Sequence, residues 1–117
     1  MAHKIMVIDD DPVVVKYLVS IFENNGYETC EAYDGVEAEE MLQRERPDLI
    51  TLDLEMPGEW GPRFYRKLTE DPALKNIPVV VISGLSGHQY AINKAVASIS
   101  KPFDRDELLQ VVKENIL

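Results

Sequence analysis

Along this chain, short apolar runs alternate with longer stretches in which apolar residues return every three or four positions. That switching of period predicts five strand–helix pairs. KIMVID (Lys4–Asp9) is an apolar run that ends in acid. Asp11-Pro12 then opens a helix, with Asp as N-cap and Pro at the first helical position. Its inward residues are Val14, Leu18, Ile21 and Phe22, and it stops at Asn25-Gly26. YETCEA (Tyr27–Ala32) mixes polar and apolar residues as a half-exposed edge strand does. A second helix begins at Asp34-Gly35, turns Ala38, Met41 and Leu42 inward, and ends before Pro47.

Leu49–Asp53 is the third predicted strand, followed by a helix over Gly61–Glu70 with Phe64 and Leu68 four apart. VVVIS (Val79–Ser83) is continuous in β-branched residues, the mark of a strand buried on both faces. A weaker helical stretch over Gln89–Val96 precedes a short strand, Ser98–Ser100. The last helix opens on Asp104-x-x-Glu107, a capping box, with Leu108, Val111 and Val112 inward. Strands alternating with helices predict an α/β fold, a doubly wound parallel sheet with helices on both faces. No repeat, low-complexity tract or linker interrupts the pattern, so one domain over residues 1–117 is expected.

Composition narrows the function classes. With 45% hydrophobic and 28% charged residues, the chain can build a core and is not of the disordered class. No apolar run approaches the roughly 20 residues of a membrane span, and the amino terminus lacks a signal-peptide layout. Cys30 is the only cysteine, which rules out an internal disulfide and fits a reducing, cytoplasmic setting. Its place in a strand-like stretch is that of a packing residue. The net charge of −9 argues against direct nucleic-acid binding and favours basic partners or bound cations.

Candidate chemistry lies where the strands end, because ligands of doubly wound sheets bind beyond the carboxyl ends of the strands. The first strand ends in Asp9, Asp10 and Asp11, the third in Asp53, the fourth in Ser83, and the fifth leads into Lys101. Singly, each has an ordinary explanation: a helix cap, a solvated turn, a surface lysine. Together they bring carboxylates, a hydroxyl and an ammonium to one edge. Two like charges 4 Å apart repel by about 4 kcal/mol at an effective dielectric near 20, and a hard divalent cation removes that cost. Mg²⁺ beside a carboxylate, a hydroxyl and a lysine suits phosphoryl chemistry, with a carboxylate as nucleophile.

These residues carry a resemblance. VIDDDP (7–12), LDLEMPG (52–58), VVVISG (79–84) and SKPFDRDEL (100–108), in that order and spacing, resemble the response-regulator receiver domain of two-component signalling across essentially the whole chain. The resemblance implies a flavodoxin-like (βα)5 fold with strand order 2-1-3-4-5. It implies that Asp53 accepts a phosphoryl group from a histidine-kinase phosphohistidine. Mg²⁺ would be held by Asp9, Asp10, Asp53 and the backbone carbonyl of Glu55, with Asp10 the more direct ligand of the acidic pair. Ser83 matches the switch hydroxyl and Lys101 the phosphoryl-contacting lysine, followed by a cis Lys101-Pro102 bond. Glu55 and Leu85 match positions that tune phosphoryl lifetime. The implied partners are a sensor histidine kinase or phosphotransfer protein and an output partner or effector domain.

Two features depart from the family pattern. Ser98 stands where a rotating Tyr or Phe is usual, and the interval from Ser83 to Lys101 is short by about one helical turn of ~3.6 residues. The fourth helix is therefore expected to be short or irregular. Tyr90, His88 and Trp60 read as packing or solvated loop residues. Three functional readings remain: a phosphorylatable switch, a receiver-like binding module whose output is independent of phosphorylation, and a Mg²⁺-dependent phosphatase with Asp53 as nucleophile. A flavodoxin-type electron carrier fails on charge, since Asp9, Asp10 and Asp11 would repel the FMN phosphate.

Overall fold

The computed structural model describes residues 2–53, 61–84 and 96–116. Among these, the elements are β1 (Lys4–Ile8), α1 (Pro12–Glu23), β2 (Glu28–Ala32), α2 (Gly35–Glu45), β3 (Leu49–Leu52), α3 (Gly61–Glu70), β4 (Val79–Ser83), β5 (Ala97–Ser100) and α4 (Arg105–Asn115). All five strands are parallel, in the order β2-β1-β3-β4-β5. The predicted doubly wound sheet and its strand order are observed. The predicted helix over Gln89–Val96 and its irregularity fall outside the described residues, apart from Val96, whose N–H donates to Val79 O at 3.0 Å.

The helix starts follow from local chemistry. Asp11, Asp34 and Asp104 are N-caps whose side chains accept from Val13 N, Glu37 N, and both Asp106 N and Glu107 N. Each satisfies donors that a helix start leaves without an intrahelical partner. The α1 end is released by Gly26, which takes φ +87°, and the α2 end by Arg46 at φ 45°. Arg46 precedes Pro47, whose ring disfavours a further αR residue there.

Each sheet face carries one core. On one face, Ile5, Val7, Leu49, Val80, Ile82 and Ile99 meet Leu18 and Phe22 of α1 and Leu108 and Val112 of α4. On the other, Met6, Ile8, Ile50, Leu52, Val79 and Val81 meet Ala38 and Leu42 of α2 and Phe64 and Leu68 of α3. The central strands β1, β3 and β4 are thus covered on both sides, and β2 is a half-exposed edge. The inward set differs in detail from the predicted one. Val15 is buried where Val14 was expected, and Val14, Met41 and Val111 are half-buried at the rims of the helix faces. A core stripe on a helix is about 100° wide, so neighbouring positions compete for its edge.

Candidate functional site

The sheet order itself assembles the site. With β1 between β2 and β3, and β3 beside β4, the carboxyl ends of β1, β3 and β4 lie side by side. Both predicted acidic strand ends lie one residue beyond the regular ladder, since β1 stops at Ile8 and β3 at Leu52. Backbone bonds still anchor them: Asp9 N–H donates to Ala32 O at 3.2 Å and Asp53 N–H to Ile8 O at 3.0 Å. Lys101 is tied to the same edge, its N–H donating to Ser83 O at 3.1 Å. The Lys101-Pro102 peptide bond is cis.

Asp9, Asp10 and Asp53 each offer a carboxylate oxygen, and these oxygens lie within 4.8 Å of one another. Asp9 and Asp53 are 2% and 3% exposed, while Asp10 is exposed. Lys101 Nζ stands 2.7 Å from Asp9 Oδ2 and 3.6 Å from Asp53 Oδ1. The first contact is a charge-assisted hydrogen bond, and the second is coulombic, being too long for one. The other Asp9 oxygen, Oδ1, accepts the Asp11 N–H at 3.0 Å. Ser83 is fully buried at the end of β4.

The structure thus brings together Asp9, Asp10, Asp53 and Lys101, with Ser83 joined to Lys101 through the backbone. Glu55, Leu85, Trp60, His88 and Tyr90 lie outside the described residues. Ser98 is half-buried on β5, in register with Val81. A cavity of about 480 Å³ lies elsewhere, at the amino ends of β4 and β5, and its described lining residues, among them Lys75, Pro78 and Val96, include no carboxylate.

Three features here were not foreseen from the sequence. Asp9 is the resting partner of Lys101, a pairing that only the folded sheet brings about. Thr51, two residues before Asp53, is 1% exposed, and its hydroxyl has no hydrogen-bond partner among the described residues. Tyr17 stacks on Phe103 with ring centroids 5.8 Å apart, joining α1 to the segment just after Lys101. A signal for the last was present, since Val13 and Tyr17 are four apart on the face of α1 opposite its buried stripe.

Hard oxygen ligands packed together at the carboxyl edge of a doubly wound sheet, with one lysine among them, define a cleft fit for cations and anionic groups. The chain belongs to the response regulator receiver domain family, whose model matches residues 5–113. It is 41% identical over 112 residues to protein Rrf1 of Nitratidesulfovibrio vulgaris, covering 96% of this chain and 81% of that protein. It is 29% identical to the polar-differentiation response regulator DivK of Brucella anthropi, covering 97% of this chain and 95% of that one. Among solved structures it is similar to the signal receiver domain of a signal transduction histidine kinase from Syntrophus aciditrophicus. That match has a TM-score of 0.89 at 33% identity and covers 97% of this chain and 89% of the other. The chain is therefore a receiver domain of the two-component type, a signalling switch by family.

Proposed function

We propose that Asp53 is the phosphoryl acceptor of this receiver and that Asp9, Asp10 and Asp53 hold the Mg²⁺ its chemistry requires. The observation that carries the reading is the meeting of three carboxylates within 4.8 Å beside the Lys101 ammonium. Such a donor set of hard oxygens suits Mg²⁺, and two of the three carboxylates are held nearly dry. Glu55 would add its carbonyl. When bound, Mg²⁺ offsets negative charge on the phosphoryl oxygens.

A carboxylate oxygen of Asp53 attacks phosphorus as the bond to the donor imidazole nitrogen breaks, and the phosphoryl group passes to Asp53 as an acyl phosphate. Lys101 places its ammonium against a phosphoryl oxygen, and the Ser83 hydroxyl donates to another. Hydrolysis later returns the free carboxylate. The domain thus assists its own phosphorylation and dephosphorylation as a switch, with only slow turnover through the acyl phosphate. The donor is a phosphohistidine of a sensor kinase or phosphotransfer protein, in a cytoplasmic setting, and residues 1–117 act as one unit. Neither nucleic acid nor membrane is a direct partner of this domain.

Labelling with acetyl phosphate and Mg²⁺ tests the assignment. Wild type is expected to form an acyl phosphate cleaved by hydroxylamine, and Asp53→Ala to form none. Undiminished labelling of the variant overturns it.

Ser98 supports a second reading of the output. A small hydroxyl at this half-buried position offers no aromatic ring to rotate between inward and outward states. In that reading the domain binds its partner whether or not Asp53 is modified. Partner affinity with and without beryllofluoride at saturating Mg²⁺ separates the two, and equal affinities favour the second.

A further inference from the structure

The Lys101 ammonium sits at the end of a long, flexible stem, so the cleft receives it in one place only if the backbone that carries it is held. On one side the ladder holds that backbone, through the Lys101 N–H bond to Ser83 O at 3.1 Å. On the other, only Pro102 and Phe103 separate Lys101 from Asp104, the N-cap of α4. Phe103 is half-buried against the core that α1 and α4 cover. Its ring stacks on Tyr17, with centroids 5.8 Å and planes 26° apart, within the usual spacing of aromatic pairs. Tyr17 is 52% exposed, so its own burial gives little reason for a ring at this position. The helix that carries Tyr17 is also fixed to the acidic side of the site. The N–H of Asp11, its N-cap, donates to Asp9 Oδ1 at 3.0 Å, and Asp9 Oδ2 accepts from Lys101 Nζ at 2.7 Å.

We infer that Tyr17 is a positioning residue for phosphoryl transfer, holding Lys101 in the cleft by clamping the Phe103 ring. The inference rests on the reading of Asp53 as acceptor and Lys101 as phosphoryl contact, and it adds α1 to that site. Asp9 is anchored at the start of α1 and Phe103 farther along the same helix, so one rigid element sets where the acid and the cation stand relative to each other. Removing the Tyr17 ring uncovers one face of Phe103. The short segment from Lys101 to Asp104 then relies on the ladder and the cap alone, and any shift in it carries the ammonium along. A reacting group displaced by even about 1 Å loses much of the advantage of fixed orientation. The Tyr17 hydroxyl has no part in this, because the contact is made by the rings.

Two measurements on the intact chain test this. The first is the rate of labelling by acetyl phosphate with Mg²⁺, a small donor that needs no docking surface for a protein partner. Tyr17→Ala should label about tenfold to a hundredfold more slowly, the scale of a misplacement of about 1 Å. Tyr17→Phe, which keeps the ring, should label as wild type does. The second reads Lys101 by NMR in the metal-free, unphosphorylated protein. Its two ε-methylene protons have distinct shifts when the ammonium is held in one place and merge when it moves freely. They should be split in wild type and Tyr17→Phe and merged in Tyr17→Ala. Should Tyr17→Ala fail to fold, Tyr17→Leu, which keeps apolar bulk without a flat ring, takes its place with the same two expectations. Labelling of the ring-less variant at the wild-type rate, or a splitting that survives in it, overturns the inference. So does a Tyr17→Phe as slow as Tyr17→Ala, or a wild type whose ε-methylene protons are already merged. Wild type that forms no acyl phosphate overturns the acceptor reading instead, and the splitting still decides whether Tyr17 holds Lys101.

Discussion

Asp53 and Asp9 are locked side by side by a backbone hydrogen bond from Asp53 N–H to Ile8 O, 3.0 Å long. Their carboxylates, with that of Asp10, are then confined within 4.8 Å. At that separation each like-charge pair costs about 3 kcal/mol at an effective dielectric near 20. Lys101 offsets part of this, and solvent screens exposed Asp10. Among the described residues, Asp53→Asn removes two repulsions and one attraction, and on that balance metal-free Asp53→Asn should be about 1 kcal/mol more stable than wild type, a few degrees in Tm. Saturating Mg²⁺ should narrow or reverse the order, because only the intact carboxylate set gains the full binding stabilisation. Thermal melts with and without Mg²⁺ check both signs. A variant less stable than wild type without metal would show that Asp53 gains more from its partners than it loses to its neighbours.

Thr51 lies under the site in the middle of β3, in register with Val80 of β4 and Val7 of β1. A buried hydroxyl lacking a partner carries a desolvation penalty of about 1–3 kcal/mol, and Val matches Thr in shape. Thr51→Val should therefore raise stability by about 1 kcal/mol, read as a higher urea midpoint at unchanged slope. A lower midpoint would mean that the hydroxyl is hydrogen-bonded in solution.

What could be read from the chain divides by the range of the interaction. The caps at Asp11, Asp34 and Asp104 were legible because a cap bonds donors only two or three residues away. VVVIS was legible because burial on both faces writes itself as an unbroken apolar run. That Asp9, Asp53, Ser83 and Lys101 share an edge followed from parallel strands, whatever their order. The order itself came from family resemblance, because alternating patterns say nothing of which strands pair. The Lys101–Asp9 bond spans 92 residues, and no local pattern encodes it. Thr51 reads as an ordinary β-branched strand residue until its neighbours on both sides prove to be valines.

The Lys4–Glu45 ion pair joins β1 to the end of α2 at 2.9 Å, far from the carboxylate cleft. Its hydrogen bond with Lys4 holds the Glu45 carboxyl below its usual 4.5, and the same bond raises Lys4 above its usual 10.5. A depressed carboxyl stabilises the fold above 4.5 and loses that contribution as pH falls through its folded value. A raised ammonium contributes below 10.5 and loses it as pH rises through its own. Glu45→Gln should therefore lie below wild type in stability across the neutral range and converge with it at both extremes. Urea midpoints at pH 3, 7 and above 11 (about; chosen to bracket both groups) measure this. A gap that persists in acid would assign the effect to packing.

Cys30 sits half-buried on β2, and burial, the largest influence, pushes its thiol from 9.0 up to about 11. Only the thiolate attacks an alkylating reagent. Near neutral pH the native protein should thus carry about a hundredfold less thiolate than the unfolded chain, and iodoacetamide should modify it correspondingly more slowly. Stability should follow the same linkage. A raised thiol costs nothing below 9.0, but as pH climbs from there toward about 11 the unfolded chain releases its proton first and unfolding gains. Cys30→Ser, which does not titrate there, should lose less stability over that interval. Comparing alkylation rates in buffer and in urea by mass spectrometry, with alkaline melts of both proteins, tests the pair of expectations. Equal alkylation rates in the folded and unfolded chains would show that the thiol is open to solvent and that packing on β2 does not shield Cys30.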